Sequence, residues 1–173
     1  GSDMCIRDRS KALPDHPTTV WWGCAISGGR KKARKIDGKL TPYRTEMRIF
    51  DKEMRMAGSV DMLYTDDNGD LVMYDWKRSN KTHKENNFKN DNRATTECLN
   101  HLHNCEVWKY SLQLNTYRYI IEKNYGKKVS KMYLLFLHPT FDTYKRIQAP
   151  MIDMEEVMNL RWNGLHAKNV VTN

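Results

Sequence analysis

Three short apolar segments alternate with charged or turn-forming stretches between residues 43 and 76. They cover residues 43–50, 54–64 and 71–76 and are rich in β-forming residues. Between the second and third segments the chain reads Thr65-Asp-Asp-Asn-Gly-Asp70. Asn-Gly favours tight hairpin turns because both residues accept a positive φ. The pattern therefore predicts three consecutive antiparallel strands.

A helical period follows in the second half of the chain. Across residues 107–125 the side chains of Trp108, Leu112, Asn115 and Tyr119 recur at helical spacing, and Gly126 follows as a stop signal. These positions predict one amphipathic helix that ends at Gly126.

Two further strands and a second helix complete the predicted order. Residues 129–138 predict a buried strand, residues 144–147 an edge strand, and Asp153 the cap of a helix reaching residue 166. Residues 78–104 are polar and predict a long loop. This order predicts an α/β fold, with a central mixed β-sheet that contains a three-strand antiparallel meander and is flanked by helices.

Residues 1–41 show neither period. Gly1 and Ser2 resemble a protease-cleavage scar, and residues 4–9 resemble a translated sequencing adapter. We therefore expect a tag and a poorly patterned, truncated N-terminal segment over residues 1–41, followed by a single domain over residues 42–173.

Charge indicates the class of partner. Lys and Arg total 29 against 21 for Asp and Glu, which gives a net charge of +8 and favours an anionic partner. A mean hydropathy of -0.80, without an apolar run near the ~18 residues of a membrane span, excludes an integral membrane protein. Four cysteines and the lack of a signal-peptide pattern predict a protein that is not secreted, located in the cytoplasm or nucleus of the host cell.

Acidic residues recur on the three predicted strands. Glu46 lies on the first, Asp61 on the second and Asp75 on the third, where Lys77 follows two residues later. That spacing points Asp75 and Lys77 to one face of a strand and Trp76 to the other. Mg²⁺ takes oxygen ligands, so Asp61, Asp75 and the Trp76 carbonyl suit a metal site, with Lys77 beside it. The alternative is a purely structural ion pair between Asp61 and Lys77.

Three motifs together resemble a known family. Gly58-x-x-Asp61, Asp75-x-Lys77 and Gln113-x-x-x-Tyr117 are similar to the PD-(D/E)XK nuclease superfamily, in particular its RecB-like branch. The resemblance spans about residues 42–139, and the surrounding sequence is also similar to nuclease-like proteins of large DNA viruses and protists. It implies a restriction-endonuclease-like core and a deoxyribonuclease that uses two Mg²⁺ or Mn²⁺ ions in DNA recombination, repair or replication.

The resemblance also implies roles for individual residues. The expected metal ligands are Glu46, Asp61, Asp75 and the Trp76 carbonyl, and the expected catalytic residues are Asp61, Asp75, Lys77, Glu46, Gln113 and Tyr117. Gln113 and Tyr117 lie four residues apart and so share a helix face, where Gln113 can reach the lysine and Tyr117 the DNA backbone.

A run of basic residues beginning at the third strand predicts the residues that bind DNA. Phosphate contacts need flexible cations, and the expected nucleic-acid-binding residues are Arg78, Lys81, Lys84 and Lys89, together with Tyr117. Residues 10–42 lack the branch's Gly-x-x-x-His element. This leaves open a catalytically weak or inactive nucleic-acid-binding module, and an RNA endonuclease also stays open because no motif reads the 2′-hydroxyl.

One Cys/His cluster has zinc-ligand residue types. Cys98, His101, His103 and Cys105 lack the paired spacing of common structural sites, so we expect an incidental loop without Zn²⁺. The cysteine pattern of the family's iron-sulfur branch is also missing from the sequence, and we expect no iron-sulfur cluster.

Overall fold

The computed structural model describes residues 40–78, 92–139 and 144–167, which contain five strands and two α-helices. The elements are β1 (Thr41–Asp51), β2 (Met56–Thr65), β3 (Leu71–Lys77), α1 (Glu106–Tyr125), β4 (Val129–Phe136), β5 (Lys145–Gln148) and α2 (Glu155–Ala167), with a 3₁₀-helix at Glu97–Leu99. The predicted order of strands and helices is confirmed. Neither α-helix in these ranges is long and apolar enough to cross a lipid bilayer.

The strands form one sheet in the order β1-β2-β3-β4-β5. β1, β2 and β3 pair antiparallel, β4 runs parallel to β3, and β5 closes the edge antiparallel to β4. A parallel neighbour requires a crossover, which α1 provides between β3 and β4. The mixed sheet with its three-strand meander is thus confirmed. The parallel pairing brings Lys77 beside Phe136, where both strands end.

The turn between β2 and β3 is built around Asp66. Its Oδ1 accepts the backbone N–H of Asn68 at 2.9 Å and that of Asp70 at 3.1 Å. Gly69 has φ of +82°, a conformation that a residue with a Cβ adopts at a cost. This turn fixes the register of β2 against β3 and therefore the relative positions of Asp61 and Asp75.

Helix α1 buries two neighbouring stripes instead of the single predicted one. The main core under the sheet includes Val107, Leu114, Ile120 and Ile121. The predicted stripe residues Trp108, Leu112 and Tyr119 pack against a second core with Met54, Leu99, Leu102, Ile152, Met154 and Met158. Because α1 is packed on two sides, its apolar period is broad, and the sequence showed one half of it.

The predicted loop is partly described. Residues 79–91 lie outside the described ranges, whereas residues 92–104 fold back on themselves, with Ala94 N–H bonded to the Leu102 carbonyl at 3.0 Å. This stretch is irregular, as expected. It nevertheless buries Leu99 and Leu102 in the second core, which its lack of apolar period did not indicate.

Asn115 ties α1 to the segment that leads into α2. Its side chain is fully buried; Nδ2 donates to the carbonyls of Ser111 at 2.8 Å and Pro150 at 2.9 Å, and Oδ1 accepts the Ile152 N–H at 2.8 Å. The predicted helix signals are also confirmed. Gly126 ends α1 with φ of 60°, and Asp153 Oδ1 accepts the Glu155 N–H at 3.0 Å.

A buried carboxylate anchors the other end of α1 to β1. Asp51 Oδ1 accepts the Met54 N–H at 2.9 Å, and Oδ2 lies 3.0 Å from Lys123 Nζ, which also reaches Glu53 at 2.9 Å. Burial acts to raise the pKa of Asp51, but these hydrogen bonds outweigh it and hold the pKa below its ordinary value of 3.8. Hydrogen bonds to Glu53 and Asp51 raise the pKa of Lys123 above its usual range. The network stabilises the charged forms of both partners.

Candidate active site at the end of strands β2 and β3

Strands β2 and β3 separate at the two predicted aspartates. Within these described strands, the backbone pairing runs from Thr65–Leu71 to Met62–Tyr74 and stops before Asp61 and Asp75. Beyond that point the Trp76 N–H donates to Asp61 Oδ2 at 2.8 Å. The carboxylate of Asp61 therefore replaces a backbone acceptor and links the two strands where their ladder ends.

Asp75 and Lys77 share one face of β3, as their spacing predicts. Asp75 is 4% exposed, and its Oδ2 lies 2.7 Å from Lys77 Nζ. Trp76 packs on the opposite face with a cluster of Met62, Tyr64, Val72, Tyr74 and Leu135. The alternation of the strand thus separates the polar group from the aromatic core behind it.

The electrostatics of Asp75 favour a further cation. Burial raises the pKa of its carboxyl above 3.8, Lys77 lowers it, and the nearby charge of Asp61 raises it again. The contact of Asp75 Oδ2 with Lys77 Nζ at 2.7 Å is an ion pair. Two neighbouring carboxylates, one of them buried, fit a hard divalent ion such as Mg²⁺ or Mn²⁺.

Two residues of α1 extend the group away from the strand. Lys77 Nζ donates to Gln113 Oε1 at 3.0 Å, and Gln113 Nε2 donates to Tyr117 Oη at 2.8 Å. Both ends of the amide are engaged, which fixes its orientation. Asp75, Lys77, Gln113 and Tyr117 therefore form one continuous chain of contacts.

Gly58 lets Tyr117 lie directly against β2. A Cβ at this position would sit 2.4 Å from Tyr117 Cε1 and 2.8 Å from Cζ, far inside normal contact. The glycine of the Gly58-x-x-Asp61 motif thus provides room for the ring whose hydroxyl orients Gln113.

Comparison with known proteins gives the family of the chain. Residues 24–167 match the family model of the PD-(D/E)XK nuclease superfamily. The chain belongs to the PD-(D/E)XK nuclease superfamily. No curated protein matches it significantly. Among solved structures, the crystal structure of SSO0001 is similar at 14% identity and a TM-score of 0.37, covering 87% of this chain and 58% of that chain. This chain therefore spans less than two thirds of that chain's length.

The third acid that the resemblance to this superfamily implied does not join the other two in one metal-binding group. Glu46 is exposed, has φ of +48°, and its Oε2 accepts the Ser59 hydroxyl at 3.4 Å. In the register it falls opposite Asp61, between the pairs Thr45–Met62 and Met47–Val60. Within the described ranges, no three His, Cys, Asp or Glu side chains come close enough to hold a metal ion together. The group of two carboxylates is thus Asp61 and Asp75.

The pleat of β2 shifts by one residue at the same place. Val60 packs in the main core with Met47, whereas Met62, two residues later, packs on the opposite face of the sheet. Regular alternation would place both on one face. The irregularity lies at Asp61 and coincides with the unusual backbone of Glu46.

Tyr110 also contacts the site, and the sequence analysis did not predict it. Its ring centroid lies 4.7 Å from Lys77 Nζ, and the ring also packs against Phe136 with centroids 6.1 Å apart. The available signal was its position one turn before Gln113, which places both on the same side of α1.

The structure describes only some of the remaining predicted residues. Arg78 is exposed directly after Lys77, whereas Lys81, Lys84 and Lys89 lie outside the described residues. Cys98 packs against the second core and Cys105 against the main core. The two cysteines of the Cys/His cluster therefore contact different parts of the fold.

Proposed function

We propose that this chain is a metal-dependent nuclease of the RecB-like branch. It hydrolyses phosphodiester bonds of DNA inside the cell, in recombination, repair or replication. The observation that carries the proposal is the setting of Lys77. Its ammonium lies 2.7 Å from Asp75 Oδ2 and 3.0 Å from Gln113 Oε1, next to the strand end that Asp61 links. A structural ion pair would not require the Gln113 and Tyr117 contacts from α1.

Asp61 and Asp75 would hold the divalent ion, Mg²⁺ or Mn²⁺, with the Trp76 carbonyl as a further ligand that the resemblance implies. Glu46, the other ligand that the resemblance implies, does not join this group in the described structure. A bound ion supplies positive charge for the phosphate and lowers the pKa of the attacking water. Lys77 orients that water and stabilises the negative charge that develops on the phosphoryl oxygens.

The residues on α1 serve the lysine and the substrate. Gln113 accepts a hydrogen bond from the Lys77 ammonium and so restricts its long side chain. Tyr117 accepts a hydrogen bond from the other end of the Gln113 amide. The resemblance to the RecB-like branch implies that Tyr117 also reaches the DNA backbone. Arg78 continues from the catalytic strand onto the exposed surface, where we place the first phosphate contact, followed by Lys81, Lys84 and Lys89.

The experiment uses purified protein with end-labelled single- and double-stranded DNA and RNA of one sequence. We expect cleavage of DNA with Mg²⁺ or Mn²⁺, loss of cleavage in EDTA, and recovery when the metal is restored. Cleavage of RNA alone would assign a different substrate. Binding of DNA without cleavage in either metal would identify a nucleic-acid-binding module instead.

A further inference from the structure

The ammonium of Lys77 has an aromatic neighbour in addition to Asp75 and Gln113. Its Nζ lies 4.7 Å from the centre of the Tyr110 ring, inside the ~6 Å range of cation–π contacts. The Lys77 side chain is 17% exposed. Water therefore screens this attraction less than at an exposed site.

The ring itself is firmly placed. It packs at a 48° angle against Phe136, the residue that pairs with Lys77 in the β3–β4 register. Glu106 lies one turn earlier on α1. Burial first, and Glu106 second, raise the pKa of Tyr110 above 10.0, so the phenol stays neutral at physiological pH. The contact with Lys77 is thus one between a cation and a neutral ring face.

A neutral contact behaves differently from the Asp75 ion pair. A carboxylate that also binds a divalent ion attracts Lys77 less, because the ion compensates its charge. The Gln113 amide and the Tyr110 ring keep their full attraction in that state. Without the Gln113 and Tyr110 contacts, the flexible side chain of Lys77 could adopt many rotamers and its ammonium would not have a fixed position.

We propose that Tyr110 is a positioning residue whose ring face holds the Lys77 ammonium in place when Asp75 is engaged by metal. This role rests on the proposed nuclease function. Tyr110 acts through Lys77 and affects the chemical step more than DNA binding.

The first test compares Tyr110→Phe with Tyr110→Leu. The Phe variant keeps the ring and should retain kcat within about twofold, whereas the Leu variant should lose about tenfold, with KM nearly unchanged. Tyr119→Leu is the matched control, because Tyr119 lies on the same helix and contacts a different lysine, Lys123, at 5.7 Å. Its kcat should equal that of the wild type.

The second test replaces Tyr110 with phenylalanines that carry increasing numbers of fluorine atoms. Fluorine weakens the negative face of the ring with little change in its shape, so kcat should fall stepwise along the series. A flat series, or equal kcat for the Phe and Leu variants, would overturn the proposal. A purely structural role predicts that flat series.

A separate readout distinguishes this inference from the nuclease function. The side-chain protons of Lys77 should show a ring-current shift in the NMR spectra of the wild type and Tyr110→Phe, and lose it in Tyr110→Leu. Absence of the shift in the wild type would overturn the positioning role even if the protein cleaves DNA. A shift in a protein that cleaves nothing would leave the contact intact and reject the nuclease function.

Discussion

Substitution of Gly58 by alanine tests the link between β2 and the catalytic chain on α1. The added Cβ would lie 2.4 Å from Tyr117 Cε1 and 3.0 Å from its hydroxyl oxygen. Carbon atoms in normal contact stay about 3.5 Å apart or more, so the ring must retreat by about 1 Å. The Tyr117–Gln113 hydrogen bond, now 2.8 Å, then lengthens beyond a good geometry.

The loss spreads to the lysine. Gln113 without its Tyr117 partner can rotate, and Lys77 loses a fixed acceptor. Misplacement by about 1 Å near a reacting group can cost about 100-fold in rate, so we expect kcat of Gly58→Ala to fall about 10- to 100-fold. Overpacking should also lower the free energy of unfolding by about 1–3 kcal/mol. Initial rates of DNA cleavage and urea unfolding measure the two effects.

A double-mutant cycle isolates the contact. In a Tyr117→Leu background the ring is gone, and Gly58→Ala should add little further loss of kcat. Gly164→Ala is the control, since a Cβ at that position in α2 meets nothing within 4 Å. It should keep full activity and stabilise α2 by about 0.5–1 kcal/mol. Full activity of Gly58→Ala, or equal loss in both backgrounds, would refute the reasoning.

Three further predictions concern stability and substrate binding. Lys123→Met should lower the free energy of unfolding by about 1–2 kcal/mol, because it removes the ion-pair partner of the buried Asp51 carboxylate. The loss stays in this range because the Lys123 side chain is partly exposed. The lowered pKa of Asp51 stabilises the wild type above pH 3.8, and this stability is lost as the pH falls through the pKa of the folded state. The free energy of unfolding of Lys123→Met, measured in urea, should therefore depend less on acid pH than that of the wild type. An unchanged dependence would contradict this prediction. Asn115→Ala leaves buried partners unpaired and should cost about 2–4 kcal/mol in the same assay, against under about 1 kcal/mol for the exposed Asn124→Ala; equal costs would refute this assignment. Arg78→Ala should raise the Kd for DNA and reduce the slope of log Kd against log salt by about one, and an unchanged slope would exclude a phosphate contact.

The elements of the fold follow closely from local signals. Gly126 ends α1 and Asp153 caps α2, because left-handed backbone and unpaired helix N–H groups select those residue types. The turn around Asp66 and Gly69 is likewise local. These parts of the structure depend on neighbours in sequence and can be predicted from it. The segment between β3 and β4 is also long enough for the crossover that their parallel pairing needs.

Contacts between segments that are distant in sequence are harder to predict. The two-residue spacing of Asp75 and Lys77 predicts their shared face, but nothing local indicates that Tyr110 lies over Lys77 or that Gly58 accommodates Tyr117. For Glu46 the sequence predicts the position on the strand but not the conformation. Its position opposite Asp61 follows from strand register, yet its positive φ and exposed side chain depend on the irregular pleat at that point.

DNA cleavage by purified Asp75→Ala and Lys77→Ala tests the central claim most directly. Lys128→Ala is the matched control, since Lys128 forms an exposed ion pair with Asp70 at the other end of β3. With Mg²⁺ or Mn²⁺ we expect the wild type and Lys128→Ala to cleave labelled DNA, and both site variants to fold but lose cleavage. Undiminished cleavage by both Asp75→Ala and Lys77→Ala would contradict the account.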